Sequence, residues 1–279
     1  MGKLFGLLGN PVSHSMSPRM HNDAFRSLNL DHHYHAFDVK VSNLESAVNG
    51  IRALDITGFN VTIPHKVEVM KYLDEVDEEA KLIGAVNTVV NKDGRLIGYN
   101  TDGEGYLQSL QKITGEQLQH MKVLIIGAGG AARAVFTVLS RYGVPELHIA
   151  NRTKEKAAIL ANECNCGNTN VMVCSVEEAA MCLDIYDLII NTTSVGMSPN
   201  IDQLPIDLGN LRVDSVVSDL IYNPLKTKFL QEAEAKGATI LNGVGMFVGQ
   251  GALAFEKWTG HSPDRSKMEK VVLQQLGGS

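Results

Sequence analysis

Lys122-Val123-Leu124-Ile125-Ile126-Gly127-Ala128-Gly129-Gly130-Ala131-Ala132-Arg133 is the stretch on which the fold turns. Val123 to Ile126 is a short apolar run that reads as a buried parallel strand, and an Ala-rich helical stretch follows from Gly130 to Leu139. Between them the residues fit G-x-G-x-x-[GA]. A strand before that pattern and a helix after it are the context in which it marks a dinucleotide site. Gly127 permits the tight turn, Gly129 lets backbone approach a pyrophosphate, and small Ala132 lets the helix pack close on the sheet. Ala128, Gly130 and Ala131 complete the turn, where the helix start supplies N–H groups and a positive dipole end. The next strand outward, Glu146-Leu147-His148-Ile149-Ala150, ends in Asn151-Arg152-Thr153-Lys154. An acidic side chain about 20 residues after the glycines would hold the ribose of NAD. Here none is present and a cation follows, which predicts a 2′-phosphate and hence NADP. The alternative is a Gly-rich turn with a surface arginine.

Strand signals near 122–126, 146–150, 170–173, 188–190 and 214–218 alternate with helical stretches, which predicts a doubly wound parallel sheet of the Rossmann type over residues 102–237. Residues 1–101 have their own α/β rhythm. Strands are expected at Leu4 to Leu8, His35 to Val39 and Gly58 to Thr62. Helices are expected from Ser17 to Leu28, from Asn43 to Leu54 with a cap near Ser42, and from Pro64 onward. Val86 to Val90 and Arg95 to Tyr99 flank Lys92-Asp93-Gly94, a hairpin signal. The helical stretches 243–258 and 265–276 are expected to return to the first domain. The expectation is two α/β domains with a cleft between them: residues 1–101 plus 238–279, and residues 102–237.

With 279 residues, 44% of them hydrophobic and 20% charged, the chain is long and apolar enough for one large or two modest cores. A net charge of −6 without a basic tract argues against nucleic acid. No apolar run approaches the roughly 20 residues that span a bilayer, and the start of the chain does not read as a signal peptide. Cys164, Cys166, Cys174 and Cys182 lack Cys-x-x-Cys spacing and read as reduced thiols, so the expectation is cytoplasmic. His33 and His35 would share a strand face but have no matching ligand cluster nearby in sequence, and no metal is expected.

Four segments put polar groups where core residues would be expected. Gly9-Asn10-Pro11-Val12-Ser13-His14-Ser15 lies between a strand end and a helix start, and hydroxyls at Ser13 and Ser15 suit a small carboxylate. A Ser-rich cap and turn is the other reading. In Asn60-Val61-Thr62-Ile63-Pro64-His65-Lys66, Lys66 falls in the first turn of the helix expected at Pro64, where the dipole would ease release of its proton. An exposed lysine is the alternative. Asn87, in Gly84-Ala85-Val86-Asn87-Thr88, stands near the start of an apolar strand, and as a polar strand end it could equally meet solvent. Asp102, in Asn100-Thr101-Asp102-Gly103, either faces the cleft and pairs with Lys66 for proton transfer or caps the following helix.

Taken in order along the whole chain, these segments resemble the shikimate dehydrogenase family. Asn191-Thr192-Thr193-Ser194-Val195-Gly196-Met197, Asp219-Leu220-Ile221-Tyr222-Asn223-Pro224 and Gly243-Val244-Gly245-Met246-Phe247-Val248 with Gln250 extend the resemblance. It implies reversible NADP-dependent reduction of 3-dehydroshikimate to shikimate, toward aromatic amino acids. It implies that Ser13 and Ser15 hold the substrate carboxylate. Thr62, Asn87, Asp102 and Gln250 would bind its hydroxyls, with Tyr222 nearby, and Lys66 and Asp102 would be the catalytic pair. Gly127 to Ala132 would hold the pyrophosphate, and Asn151, Arg152 and Thr153 the 2′-phosphate. Thr192, Ser194, Met197, Leu220, Gly243 and Met246 would line the nicotinamide side. The partner is then a small molecule, with the chain a monomer or homodimer. A quinate/shikimate dehydrogenase using NAD, and a non-catalytic NADP-binding regulator, are the alternatives. Arg152 argues against the first, and intact Lys66 and Asp102 against the second.

Overall fold

The structure, a computed structural model, describes residues 2–167 and 169–277. The chain divides into two units, residues 1–105 with 248–279, and residues 106–247.

The first unit contains β1 (Leu4–Gly9), α1 (Ser17–Ser27), β2 (His33–Asp38), α2 (Leu44–Ala53), β3 (Gly58–Val61), β4 (Glu75–Val76), α3 (Glu78–Ile83), β5 (Thr88–Lys92), β6 (Arg95–Tyr99) and the opening of α4 (Asp102–Thr114). Its sheet runs β2-β1-β3-β5-β6-β4. β1 pairs parallel with β2 and β3, whereas β5 is antiparallel to β3 and β6. The β5–β6 hairpin closes through Asp93 (φ 52°) and Gly94 (φ 87°), the two successive positive φ angles that an Asp-Gly turn supplies. Leu8, Val48, Phe59, Val61, Val89 and Leu96 are core residues of this unit. Behind the sheet lies an aromatic group in which His21 stacks on Tyr34 at 4.5 Å between ring centroids. Burial pushes the His21 imidazole down to about 3, so it packs there as a neutral ring.

The second unit contains β7 (Lys122–Ile126), α5 (Gly130–Tyr142), β8 (Glu146–Ala150), α6 (Lys154–Cys164), β9 (Asn170–Cys174), α7 (Val176–Ala180), β10 (Leu188–Asn191), β11 (Val216–Asp219), α8 (Lys228–Ala235) and β12 (Thr239–Leu241). Its sheet is wholly parallel, in the order β12-β11-β10-β7-β8-β9. Numbered within the unit that order is 3-2-1-4-5-6 read from β9, the order of dinucleotide-binding sheets. Val123, Ile125, Leu147, Leu188 and Ile190 are buried in a core against α5, as the apolar runs predict. α9 (Val244–Thr259) begins in this unit and continues into the first, to which α10 (Arg265–Gln275) belongs.

Two expectations are corrected. The boundaries fall after Gly105 and after Phe247 rather than after residues 101 and 237. Residues 238–247 stay with the second unit because β12 pairs with β11, Val216 opposite Thr239. No α-helix begins at Pro64. Turns occupy that stretch, and a 3₁₀ helix follows at Glu68–Tyr72.

Candidate active site

In the first unit, the ends of β3 and β6 and the segment before β5 bring one polar cluster together. The Lys66 Nζ lies 2.7 Å from Asp102 Oδ2, with the Asp102 side chain 8% and the Lys66 side chain 23% exposed. Asn87 Nδ2 donates to the other carboxylate oxygen, Oδ1, at 2.8 Å. Asp102 therefore has a cation on one oxygen and an amide on the other. Its own backbone N–H donates to Asn100 Oδ1 at 3.0 Å. Of the two sequence readings of Asp102, the pair with Lys66 is the one that forms. What directs Lys66 is this carboxylate and not a helix start, since no helix begins at Pro64.

Gln250, on α9, reaches the same cluster, with Oε1 at 3.5 Å from Asn87 Nδ2. Gly105 and Gly249 allow this approach, because a Cβ on Gly105 would come within 2.5 Å of the Gln250 backbone nitrogen. Thr62 directly follows β3, and its backbone N–H donates to Leu8 O. The loop after β1 is tied to the same region by Asn10 N–H donating to Ile63 O at 3.1 Å. Ser13 and Ser15 sit on that loop and line a cavity of about 370 Å³ with Val12, Pro18, His35, Ala36 and Asp38, a lining that does not include Lys66. Ser15 Oγ also accepts the Ser17 N–H at 3.3 Å.

In the second unit the strand order reverses between β7 and β10, whose last residues Ile126 and Asn191 lie in register. Ligands of open α/β sheets bind outside the strand ends at such a point. Thr192 N–H and Oγ1 both donate to Ile126 O, at 3.0 and 2.6 Å. Gly127 has φ +112°, and a Cβ there would lie 2.6 Å from Thr192 Oγ1. At Gly129 and Gly130 a Cβ would meet nothing within 4 Å. Among the described residues no side chain caps the start of α5 at Gly129. Ala128 and Ala131 are half-buried and Ala132 fully buried, so the turn offers open space and free helix-start N–H groups above a tightly packed base. Those features fit a pyrophosphate. After β8, Asn151 Nδ2 donates to Thr153 O at 2.7 Å, and Arg152 is exposed with no ion pair among the described residues. No carboxylate stands at that strand end, so the donor set fits a 2′-phosphate better than a bare ribose.

The neighbouring loops carry the remaining expected residues. A Cβ on Gly243 would fall 2.0 Å from Leu220 O, so only glycine fits that crossing. Leu220 and Met246 pack half-buried on the core with Ala128. Tyr222 packs against Phe247 with the rings tilted by 39° and their centroids 4.6 Å apart. Ser194 and Met197 are exposed in the loop after β10.

Several organising residues lay inside the quoted motifs without a role. Asn60, Thr88 and Thr101 are buried and bonded into the Asn87 cluster. Asn191 Oδ1 accepts from Thr193 N–H at 3.0 Å and its hydroxyl at 2.7 Å, while its Nδ2 donates to Asp219 Oδ1 at 3.0 Å. Asp219 also accepts from Ile221 N–H at 3.1 Å and from the Thr227 hydroxyl at 2.7 Å. Burial pushes the Asp219 carboxyl up to about 6, against the pull of those donors. The available signal was a polar residue within an apolar strand (Asn60) or at its end (Thr88, Asn191, Asp219); Thr101, between β6 and α4, carried none.

Comparison with known proteins adds to this geometry. The model of the shikimate dehydrogenase substrate binding domain matches residues 7–89, that of shikimate / quinate 5-dehydrogenase residues 108–201, and that of the shikimate 5′-dehydrogenase C-terminal domain residues 243–273. A shikimate dehydrogenase (NADP(+)) of Bacillus cereus (strain AH187) is 53% identical over all of both chains. A crystal structure of a shikimate dehydrogenase in complex with NADP+ superposes with a TM-score of 0.92 at 46% identity, covering 99% of this chain and 96% of that one. A shikimate 5-dehydrogenase from Thermus thermophilus, in complex with NADP(H) and shikimate, has a TM-score of 0.88 at 39% identity, covering 98% of this chain and 100% of that one.

Proposed function

The chain belongs to the shikimate dehydrogenase family, and from that premise we propose that it interconverts 3-dehydroshikimate and shikimate with NADP, a step toward the aromatic amino acids. The observation that carries the reading is the Lys66–Asp102 contact of 2.7 Å with Asn87 on the second carboxylate oxygen. On this reading the first unit binds substrate and the second binds NADP.

Reduction adds hydride to the ketone carbon, and bound NADPH supplies it. Negative charge builds on the ketone oxygen, and the Lys66 ammonium, aimed by Asp102, delivers a proton there. A lysine ammonium is an acceptable acid near neutral pH. Asp102, between Lys66 and Asn87, holds the ammonium in line and accepts a hydrogen bond from a substrate hydroxyl. Asn87, Thr62 and Gln250 take the other hydroxyls, and Tyr222 borders the substrate. Ser13 and Ser15 hold the carboxylate. Arg152, flanked by Asn151 and Thr153, pairs with the 2′-phosphate, while the turn Gly127 to Ala132 takes the pyrophosphate. Thr192, Ser194, Met197, Leu220, Gly243 and Met246 border the nicotinamide. The enzyme acts in the cytoplasm as a monomer or homodimer.

The test is the initial rate of NAD(P)H absorbance change with shikimate and with quinate, each with NADP and with NAD. Fast turnover confined to shikimate with NADP supports the assignment. Comparable rates with quinate or NAD move it to the broader dehydrogenase, and no turnover with any pair sinks it.

A further inference from the structure

Thr101 lies between β6 and α4, 2% exposed, and its polar atoms meet the residues that surround Asp102. Its backbone N–H donates to Asn87 Oδ1 at 2.8 Å. A backbone N–H can only donate, so this contact decides which end of the Asn87 amide is oxygen. The amide nitrogen is thereby turned to Asp102 Oδ1 at 2.8 Å and Thr101 Oγ1 at 3.0 Å. The Thr88 hydroxyl donates to Asn87 Oδ1 at 3.0 Å and fills that oxygen's second lone pair. Thr88 in turn accepts from Asn60 Nδ2 at 3.0 Å. Asn60 is oriented by its donation to the Asn87 backbone carbonyl at 3.0 Å, and its Oδ1 accepts from Tyr34 O–H at 2.8 Å. The Thr101 hydroxyl lies 3.0 Å from the Gln250 backbone carbonyl, its shortest acceptor contact, and 3.2 Å from both Asn87 Oδ1 and Thr88 Oγ1. Thr101 thus meets Asn87 through both its backbone N–H and its hydroxyl, and meets the Gln250 backbone through the hydroxyl.

We propose that Thr101 is a positioning residue of the reaction, acting through Asn87 and the Gln250 backbone and touching neither substrate nor cofactor. Its hydroxyl is the second anchor of the Asn87 amino group and ties the Gln250 segment of α9 to the same point. Asn87 meets Asp102 at one oxygen while Lys66 meets it at the other, so a loosened Asn87 misaims the carboxylate that aims Lys66. The inference rests on the proposed dehydrogenase function.

The experiment compares Thr101→Val, which keeps the shape and removes the hydroxyl, with Thr101→Ser, which keeps the hydroxyl. Thr101→Val is expected to lower kcat/KM for shikimate about 10- to 100-fold, the scale of one buried hydrogen bond lost with its donor, the Asn87 amino group, stranded. The KM for NADP stays within about 2-fold, because the proposed cofactor residues are all in the other unit, and Thr101→Ser returns to within about 3-fold of the parent. Equal loss in both variants, or a Thr101→Val enzyme as active as the parent, overturns the proposal. A second readout is independent of turnover: the Asn87 side-chain NH₂ pair in ¹H–¹⁵N spectra, assigned by its disappearance in Asn87→Asp. The parent is expected to show two well-separated, slowly exchanging protons, and Thr101→Val to lose protection of one. An unchanged pair in Thr101→Val refutes the positioning role. A parent without turnover refutes the dehydrogenase reading instead, and the amide pair then decides on Thr101 alone.

Discussion

Replacing Asp219 by asparagine tests whether desolvation or hydrogen bonding governs the most buried carboxylate of the second unit. Asp219 is 0% exposed at the end of β11, and three donors reach it: Asn191 Nδ2, Ile221 N–H and Thr227 O–H. Burial, the larger influence, raises its carboxyl from 3.8 to about 6, and the donors pull the other way. A folded-state value above the unfolded one means that the folded protein binds this proton more tightly. The stabilisation is therefore fully present below about pH 4 and is lost as pH rises through about 6. A gap of about 2 pH units at 1.36 kcal/mol each corresponds to about 3 kcal/mol. Asparagine cannot titrate, so the stability difference between Asp219→Asn and the parent should move by about 3 kcal/mol in favour of the variant between pH 4 and pH 8. Urea unfolding followed by far-UV circular dichroism measures it. Fluorescence does not, since the single tryptophan, Trp258, lies in the first unit. A difference that is flat with pH, or that grows in favour of the parent as pH rises, would falsify the argument and show that the three donors outweigh burial.

Three further outcomes follow from the sites. Lys66→Ala should lower kcat by about 10²- to 10⁴-fold, the usual contribution of a positioned acid, with little change in KM for NADP, and near-normal kcat would exclude Lys66 as the proton donor. Arg152→Ser should raise the KM for NADP about 10- to 100-fold while leaving the KM for NAD and the melting temperature unchanged, because this exposed arginine has no ion pair to lose among the described residues. An unchanged preference for NADP over NAD in that variant counts against the 2′-phosphate contact. Gly127→Ala should cost about 1–3 kcal/mol of stability and weaken NADP binding, since φ is +112° and the new Cβ would lie 2.6 Å from Thr192 Oγ1. An unshifted melting curve would show that the turn relaxes freely.

What was legible in the sequence is what local constraint dictates. The parallel strands of the second unit are apolar runs because both faces are covered, so β7 to β10 were expected within a residue or so of their ends. Asp93-Gly94 announced its hairpin through the positive φ angles that such a turn requires. The helix expected at Pro64 failed for a reason outside its own segment. The Lys66 carbonyl, which an α-helix would offer to the N–H of residue 70, accepts instead from Val86 N–H at 2.8 Å, and Met70 N–H turns to Val67 O at 3.3 Å. A proline followed by polar residues looks the same in either case. The second boundary moved for a similar reason, because the short strand Thr239–Leu241 is held by its pairing with β11.

The same distinction separates the two halves of the candidate site. Gly127 could be read alone, because its φ and its close neighbour require glycine whatever the rest of the chain does. Asn60, Thr88 and Thr101 could not, because each is defined by partners between 13 and 149 residues away. A buried polar side chain must find a partner, so a polar residue set into an apolar strand is evidence that a network exists. It does not say where the network leads. Asn87 was singled out on that ground, yet its meaning came only when its nitrogen was found on the carboxylate that Lys66 also holds. The catalytic reading of Lys66 and Asp102 therefore depends on a third residue that neither the spacing nor the charge of the pair would reveal. Its orientation is set by a backbone N–H that every residue except proline at position 101 would supply. The hydroxyl on Thr101 is the one part of that arrangement the side chain itself contributes, so the contrast between valine and serine at that position isolates it.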